Sequence, residues 1–248
     1  LQWQKTQDNN IGLDLTLFDR LDLTFDYYIK NTRNLLTPVS TPPSVGFNSY
    51  TENLGKSQNK GIEVRLNYRI LKNAHKDLFL SAFATGMHNK NKIKEISDAL
   101  DYINKERDDQ KSESNYDHEK DKQGTTKPSV RYRVGQSMDA IWAVRSLGID
   151  PGSGEEILLT KDGRKTYAWN ADDQVVCGDK LPKLSGTFGF NFEYRGFGVN
   201  TSFFYRLGGQ MYNQTLVDKV ENADIQYNVD KRIYTDRWFE AGQAAKFK

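Results

Sequence analysis

The stretch Leu21-Asp22-Leu23-Thr24-Phe25-Asp26-Tyr27-Tyr28-Ile29-Lys30 decides the fold class. Leu21, Leu23, Phe25, Tyr27 and Ile29 share one parity, and Asp22, Thr24, Asp26, Tyr28 and Lys30 share the other. Successive side chains of a strand point to opposite faces, so this alternation predicts a strand with one apolar and one charged face.

The same pattern recurs on both sides of that stretch. Upstream, Ile11, Leu13, Leu15 and Leu17 alternate with Gly12, Asp14 and Thr16, and a tight turn at Asp19-Arg20 joins the two segments. Downstream, Ile62, Val64, Leu66, Tyr68 and Ile70 alternate with Glu63, Arg65, Asn67 and Arg69. A fourth segment, Leu78 to Thr85, is apolar on both parities. Phe188, Phe190, Phe192 and Tyr194 follow, and beyond a Gly196-Phe197 turn come Val199, Thr201, Phe203, Tyr205 and Leu207. The polar parity repeatedly carries full charges: Asp22, Asp26, Glu63, Arg65, Arg69, Glu193 and Arg206.

Short and long connections alternate. The Asp19-Arg20, Lys72–Asp77 and Gly196-Phe197 links are tight. The link from Asn31 to Tyr50, with Pro38, Pro42 and Pro43, is long, as are the links from His88 to Lys180 and beyond Tyr212. Outer-membrane barrels have this asymmetry, because their turns are short on one side of the membrane and their loops longer on the other. In a compact soluble domain a long structureless link argues against the strand assignment. The longest link is charge-dense from Asn89 to Lys127, including Glu119-Lys120-Asp121-Lys122, and reads as a solvated loop. Ile93, Ile96 and Leu100 are at helical spacing and predict a short helix from Ile93 to Ile103. Between Gly135 and Tyr167 the composition turns apolar again and predicts a pair of short strands.

Composition fits this reading. The chain has 248 residues and a hydrophobic fraction of 37%, with a mean hydropathy of −0.76. It has no apolar run near the ~20 residues of a spanning helix. A barrel strand needs only ~10 residues, every second one apolar, so strands remain open as spans. The formal charge of +2, from 35 basic and 33 acidic side chains, gives no reason to expect nucleic acid as a partner. The lone Cys177 excludes an internal disulfide or a multi-thiolate zinc site. The first residue is Leu1 and the last stretch, Trp238 to Lys248, ends without a closing element, so both ends are expected to be cut.

Several segments resemble the SusC/RagA family of TonB-dependent transporters. Asn10-Ile11-Gly12-Leu13-Asp14 is similar to the family's N-I-G-hydrophobic-D strand opening. Asp26-Tyr27-Tyr28, with Lys30 and Thr32, resembles its D-Y-Y-x-K-x-T. Asn53-Leu54-Gly55-Lys56, continuing to Asn59-Lys60-Gly61-Ile62-Glu63, resembles its N-x-G-x-x-x-N-K-G-hydrophobic-E. Gly148-Ile149-Asp150-Pro151 with Gly154 resembles its G-x-D-P-x-T-G loop, with Ser153 for Thr. Leu181 to Gly186 and Phe203 to Asn213 resemble a later strand opening and the strand and loop after it. Ala241-Gly242-Gln243 departs from the common P-G-D after the tryptophan.

The resemblance implies an all-β fold: a partial transmembrane up-and-down antiparallel barrel, about six strands of a barrel of about 22, with long extracellular loops. Residues 1–248 would be one piece of the barrel domain, with 88–181 a long extracellular loop insertion. It implies import of oligosaccharides or peptides across the outer membrane of Gram-negative bacteria of the Bacteroidetes type. A SusD-like surface lipoprotein would be the partner, with energy from TonB through a region this chain lacks. Two other readings stay open: a soluble β-sandwich acting as a carbohydrate-binding or adhesion module, and a passive porin.

No catalytic constellation stands out, and no cofactor or metal is expected. His75, His88 and His118 have no ligand spacing. Asp150-Pro151-Gly152-Ser153-Gly154-Glu155 reads as a turn rather than a calcium loop, and Asp172-Asp173 as a solvated pair. Trp142, Tyr167 and Trp169 are the candidate substrate-binding residues, because flat rings stack on sugars. The competing reading is packing within a loop or a belt at the membrane interface. For the strands, Ile62, Val64, Leu66, Phe188, Phe190, Phe192 and Val199 are expected to face lipid. Glu63, Arg65, Arg69, Glu193 and Arg206 are expected to face the lumen. The tight turns should share one end, and the sheet should stay open with its charged face concave.

Overall fold

The computed structural model describes residues 2–40, 46, 49–53, 55–98, 100–102, 104–105, 131–221, 223 and 226–248. The chain divides into two units, Leu1–Leu100 with Tyr132–Met138 and Lys180–Gln210, and Asp101–Arg131 with Asp139–Asp179 and Met211–Lys248.

The first unit is built on a six-stranded sheet. Its strands are β1 (Lys5–Leu17), β2 (Leu21–Arg33), β5 (Gly55–Asn73), β6 (Leu78–Ile96), β12 (Leu184–Tyr194) and β13 (Phe197–Leu207). They lie in that order, each antiparallel to the next. This is the up-and-down meander expected from the alternating segments. A small hairpin, β3 (Leu36–Ser40) with β4 (Ser49–Asn53), stands between β2 and β5 in sequence. Among the described residues β1 and β13 are each paired on one side only, so the sheet is open.

The tight turns lie together at one end. The Arg69 amide donates to the Arg20 carbonyl (2.8 Å), and the Arg195 amide to the Asp77 carbonyl (3.1 Å), which links each turn to its neighbouring hairpin. Their central residues differ from those expected. In the first turn the left-handed residues are Phe18 (φ 54°) and Asp19 (φ 52°), closed by Arg20 N–H to the Leu17 carbonyl at 3.1 Å. In the last they are Arg195 (φ 50°) and Gly196 (φ 85°). Two left-handed residues match the right-handed twist of the flanking strands.

The central strands run further than the alternation predicts. β5 and β6 are 19 residues each. Ile93 and Ile96, expected to open a helix, are strand residues of β6. Ser57 pairs with Ile93 and Gly55 with Ile96, while helical residues begin at Asp98. The backbone ladder continues because β5 offers a partner, even where neither face is apolar enough to show a period. Residues 88–96, expected within the loop insertion, are therefore strand. Residues 106–127 of the charge run, His118 among them, and Pro42 and Pro43 lie outside the described residues. A bulge between Arg69 and Leu71 hands the outward parity from Ile70 to Leu71.

The second unit holds two small sheets. β8 (Arg145–Ile149), β9 (Glu156–Leu159) and β10 (Lys165–Thr166) form one, in the order β10-β9-β8. β7 (Ala140–Ala143) and β11 (Val175–Asp179) form the other. The apolar stretch thus makes more strands than the expected pair. Short helical turns at Ala171–Asp173, Gln214–Leu216, Val217–Glu221 and Arg232–Thr235 also belong to the unit. Its buried side chains include Trp142, Leu158, Val220 and Ile233.

Candidate functional site

The site is the pair of faces of the large sheet. Register pairs place Leu15, Leu23, Leu66, Ala84, Phe188 and Phe203 in one row across all six strands. The next row towards the turns is Leu17, Leu21, Tyr68, Ala82, Phe190 and Thr201. Neither row contains a charge. These are not core residues: Leu66 is 38% and Phe203 53% exposed, although Phe188 and Phe203 stack with ring centroids 5.4 Å apart. Ile62, Phe188, Phe190, Phe192 and Val199 are exposed large hydrophobics on the same face, and Val64 shares their parity. From Ile62 to Leu71 the apolar parity runs about 30 Å along β5 at ~3.3 Å per residue. At a strand tilt of ~40° that rises about 23 Å, close to the roughly 25 Å apolar band of outer-membrane barrels.

The opposite face is polar. One complete row is Gly12, Asp26, Glu63, Met87, Ser185 and Arg206, and another is Thr16, Asp22, Asn67, Phe83, Gly189 and Ser202. Arg69 approaches Asp22 at 3.8 Å, and the Thr16 hydroxyl donates to the same carboxylate at 3.0 Å. Thr85 and Thr187 share a hydroxyl bond of 2.9 Å. Together Asp26, Glu63, Arg65, Thr85, Ser185 and Phe204 border a depression of about 480 Å³, so this charged face is concave there. It can hold water, polar protein or polar cargo.

Glycines let large side chains lie flat on this face. A Cβ at Gly12 would sit 2.7 Å from the Asp26 carboxylate, and one at Gly61 would sit 2.6 Å from Tyr28 Cε1. The segments singled out by resemblance are thus partners in space: Gly12 with Asp26, and Tyr28 with Gly61. Sequence reading found each motif but not the pairing, which only the strand register reveals.

The second unit holds the three aromatic candidates, and the structure treats them differently. Trp142, on β7, is 4% exposed, so its ring is enclosed by protein. Tyr167 is 54% exposed, and its hydroxyl donates to the Asp150 carboxylate. Trp169 is half-buried. That hydrogen bond, with another from the Gly152 amide, holds the Asp150 carboxyl below its ordinary value and raises the Tyr167 phenol. The Asp150 loop is a turn, as expected: Gly152 N–H donates to Asp150 Oδ1 at 2.8 Å, and Gly154 N–H to the Asp150 carbonyl at 2.8 Å. Trp238 covers it, with indole Nε1 donating to the Pro151 carbonyl at 3.0 Å. A side chain at Gly154 would strike the Trp238 ring. Asp173 accepts from the Lys161 amide at 2.8 Å, so that acid ties two loops together. Burial and nearby Glu156 push the Glu221 carboxyl up, with Arg237 partly opposing. Among the described residues no cluster of His, Cys, Asp or Glu is placed to hold a metal ion.

Residues 1–239 match the family described as TonB dependent receptor-like, beta-barrel. TonB-dependent receptor P3 of Formosa agariphila is 28% identical over 234 residues, which is 88% of this chain and 22% of that receptor. TonB-dependent receptor P39 of the same organism is 24% identical, aligned over 100% of this chain and 26% of its own length. The chain thus spans about a quarter of its curated relatives. Among solved structures, the RagAB peptide transporter superposes with a TM-score of 0.73 at 22% identity, over 98% of this chain and 26% of that one. The RagAB peptide importer in its closed-closed state gives 0.72 at 23% identity, over 100% and 27%.

Proposed function

The chain belongs to the TonB-dependent receptor-like β-barrel family, and on that premise we propose that it forms part of the wall of an active importer in the outer membrane. One observation carries the reading: uncharged rows cross all six strands on an exposed face, while charged rows cross the same strands on the concave face. A charge on the lipid side costs roughly 2–4 kcal/mol at the midplane, so a membrane demands this sorting. The open edges of β1 and β13 then pair with further strands of the barrel, whose size class is about 22 strands.

The cargo is a nutrient, an oligosaccharide or a peptide. A SusD-like surface lipoprotein closes the importer from outside, and TonB supplies energy through another part of the receptor. The link carrying residues 97–183 stands on the extracellular side. Within it, Tyr167 and the half-buried Trp169 are the rings available to cargo, whereas Trp142 is enclosed by protein. Uptake of labelled oligosaccharide and labelled peptide by cells carrying the full receptor tests this. Import should stop when the proton-motive force is collapsed or the TonB-like energiser is deleted. Uptake that continues unchanged would make the barrel a passive pore.

A further inference from the structure

Beyond the apolar band, on the same outward face, the charge changes abruptly. The last row of the band is Ile11, Tyr27, Ile62 and His88. The next row outward is Asn9, Ile29, Lys60 and Lys90, then Gln7, Asn31, Gln58 and Lys92, and then Lys5, Arg33, Lys56 and Glu95. Six cations therefore stand on the outward face within three rows, against one acid. Among the described residues only Lys56 of the six has an ion-pair partner, Glu95. Lys5, Arg33, Lys60, Lys90 and Lys92 are exposed, and among the described residues they form no ion pair. On the inward face at the same height the cation is matched: Lys30 pairs with Asp8 at 3.3 Å.

Lys60 and Lys90 are direct register partners. Like charges opposed across a strand pair repel, which is a net cost unless an anion lies between them. Their distance from the band supplies the anion. Lys60 is two residues, about 6.6 Å, beyond Ile62, and Lys92 about the same distance beyond Lys90. Lysine stems lie along apolar surface while their ammonium groups reach outward, which carries the charge to headgroup level.

We propose that Lys60, Lys90 and Lys92, flanked by Lys5 and Arg33, bind the phosphate groups of anionic lipid in the leaflet beside the long connections. This inference rests on the membrane reading above. The partner is a phosphate-bearing lipid headgroup, since the cations continue a lipid-facing surface and are separated from the lumen by the sheet. Clusters of basic residues at a membrane surface recognise anionic lipid in this way. The site fixes the height of the wall and immobilises lipid at the β5–β6 hairpin.

The test uses the full receptor, purified from outer membranes in mild detergent, with lipid-bound phosphorus measured per protein and acyl chains identified by mass spectrometry. The K60Q/K90Q/K92Q variant should retain less of this lipid by about fivefold or more. K60R/K90R/K92R should retain it, and K72Q/K76Q, at the turn end, should match the unaltered receptor. Equal retention by the glutamine variant, with the receptor still in the membrane fraction, overturns the lipid site and leaves the membrane reading intact. Phosphorus retained only as inorganic phosphate, without acyl chains, also overturns it. A receptor recovered folded outside the membrane overturns both.

Discussion

Tyr28 lies across the backbone of Gly61, its register partner on β5. A glycine inside a strand weakens it, having no side chain to pack, and a ring laid over the gap restores that packing. Phe83 covers Gly189 in the same manner, with a Cβ there falling 2.8 Å from its Cζ. The concave face is thus smoothed by rings over glycines as well as lined by charge.

The pair predicts a specific coupling. Gly61→Ala should destabilise the folded receptor by about 1–3 kcal/mol, the usual cost of forcing a methyl into filled space. In a Tyr28→Ala background the same alanine should cost much less, because the ring has gone. Urea titration of the vesicle-embedded receptor through the four-member cycle measures this; additive losses would show the two residues to be independent.

The faces predict opposite responses at adjacent positions. Leu66→Arg should cost roughly 2–4 kcal/mol, as for any guanidinium near the midplane of the lipid side. Asn67→Arg, one residue on but in the row of Asp22 and Ser202, should be tolerated to within about 1 kcal/mol. The yield of folded receptor in outer-membrane fractions separates the two outcomes.

The first hairpin is held by residues ill suited to its turn. Phe18 and Asp19 both adopt left-handed φ, a region that penalises most side chains by about 1–2 kcal/mol. Replacing them with Asn and Gly, the preferred pair for such turns, should raise stability by about 1 kcal/mol. Gly196→Ala at the last turn should lower it by a similar amount.

Much of the meander was legible because an apolar face backed by a charged one imposes a strict period on each strand. Leu21 to Ile29 and Phe188 to Tyr194 announce themselves, since every second residue belongs to the apolar face of the sheet. The signal fails where that constraint ends. Gly55 to Lys60 and Asn89 to Glu95 are polar on both parities, so their pairing is visible only in the ladder. Ile93 reads as helical because three apolar residues happened to fall at helical spacing. Among the aromatic candidates, spacing cannot tell the enclosed Trp142 from the exposed Tyr167, since burial there comes from strands distant in sequence.

The second unit predicts two pH responses of opposite sign. The Glu221 carboxyl sits above its ordinary value of 4.5, chiefly through burial and then Glu156. The folded loop therefore binds that proton more tightly than the unfolded chain. Its contribution is full below pH 4.5 and is lost as pH rises through the raised value. Asp150 is lowered from 3.8, chiefly by the Tyr167 hydroxyl. Its contribution is present above 3.8 and lost as pH falls through the lowered value. Hydrogen exchange, corrected for intrinsic rates, should show residues 214–221 less protected at neutral than at mildly acidic pH, and Glu221→Gln should abolish the difference. Tyr167→Phe should bring the acid loss of protection around Asp150 to higher pH.

The assignment of one face to lipid and the other to the lumen is tested most directly by spin labels in the full receptor in vesicles. With Cys177 replaced by Ser, single cysteines are placed along β5 and β12 at Leu66, Asn67, Tyr68, Phe188, Gly189 and Phe190. Labels at 66, 68, 188 and 190 should be reached by oxygen and shielded from a polar nickel complex, with the reverse at 67 and 189. Equal accessibility on both parities, or nickel reaching the leucine and phenylalanine positions, would contradict the account.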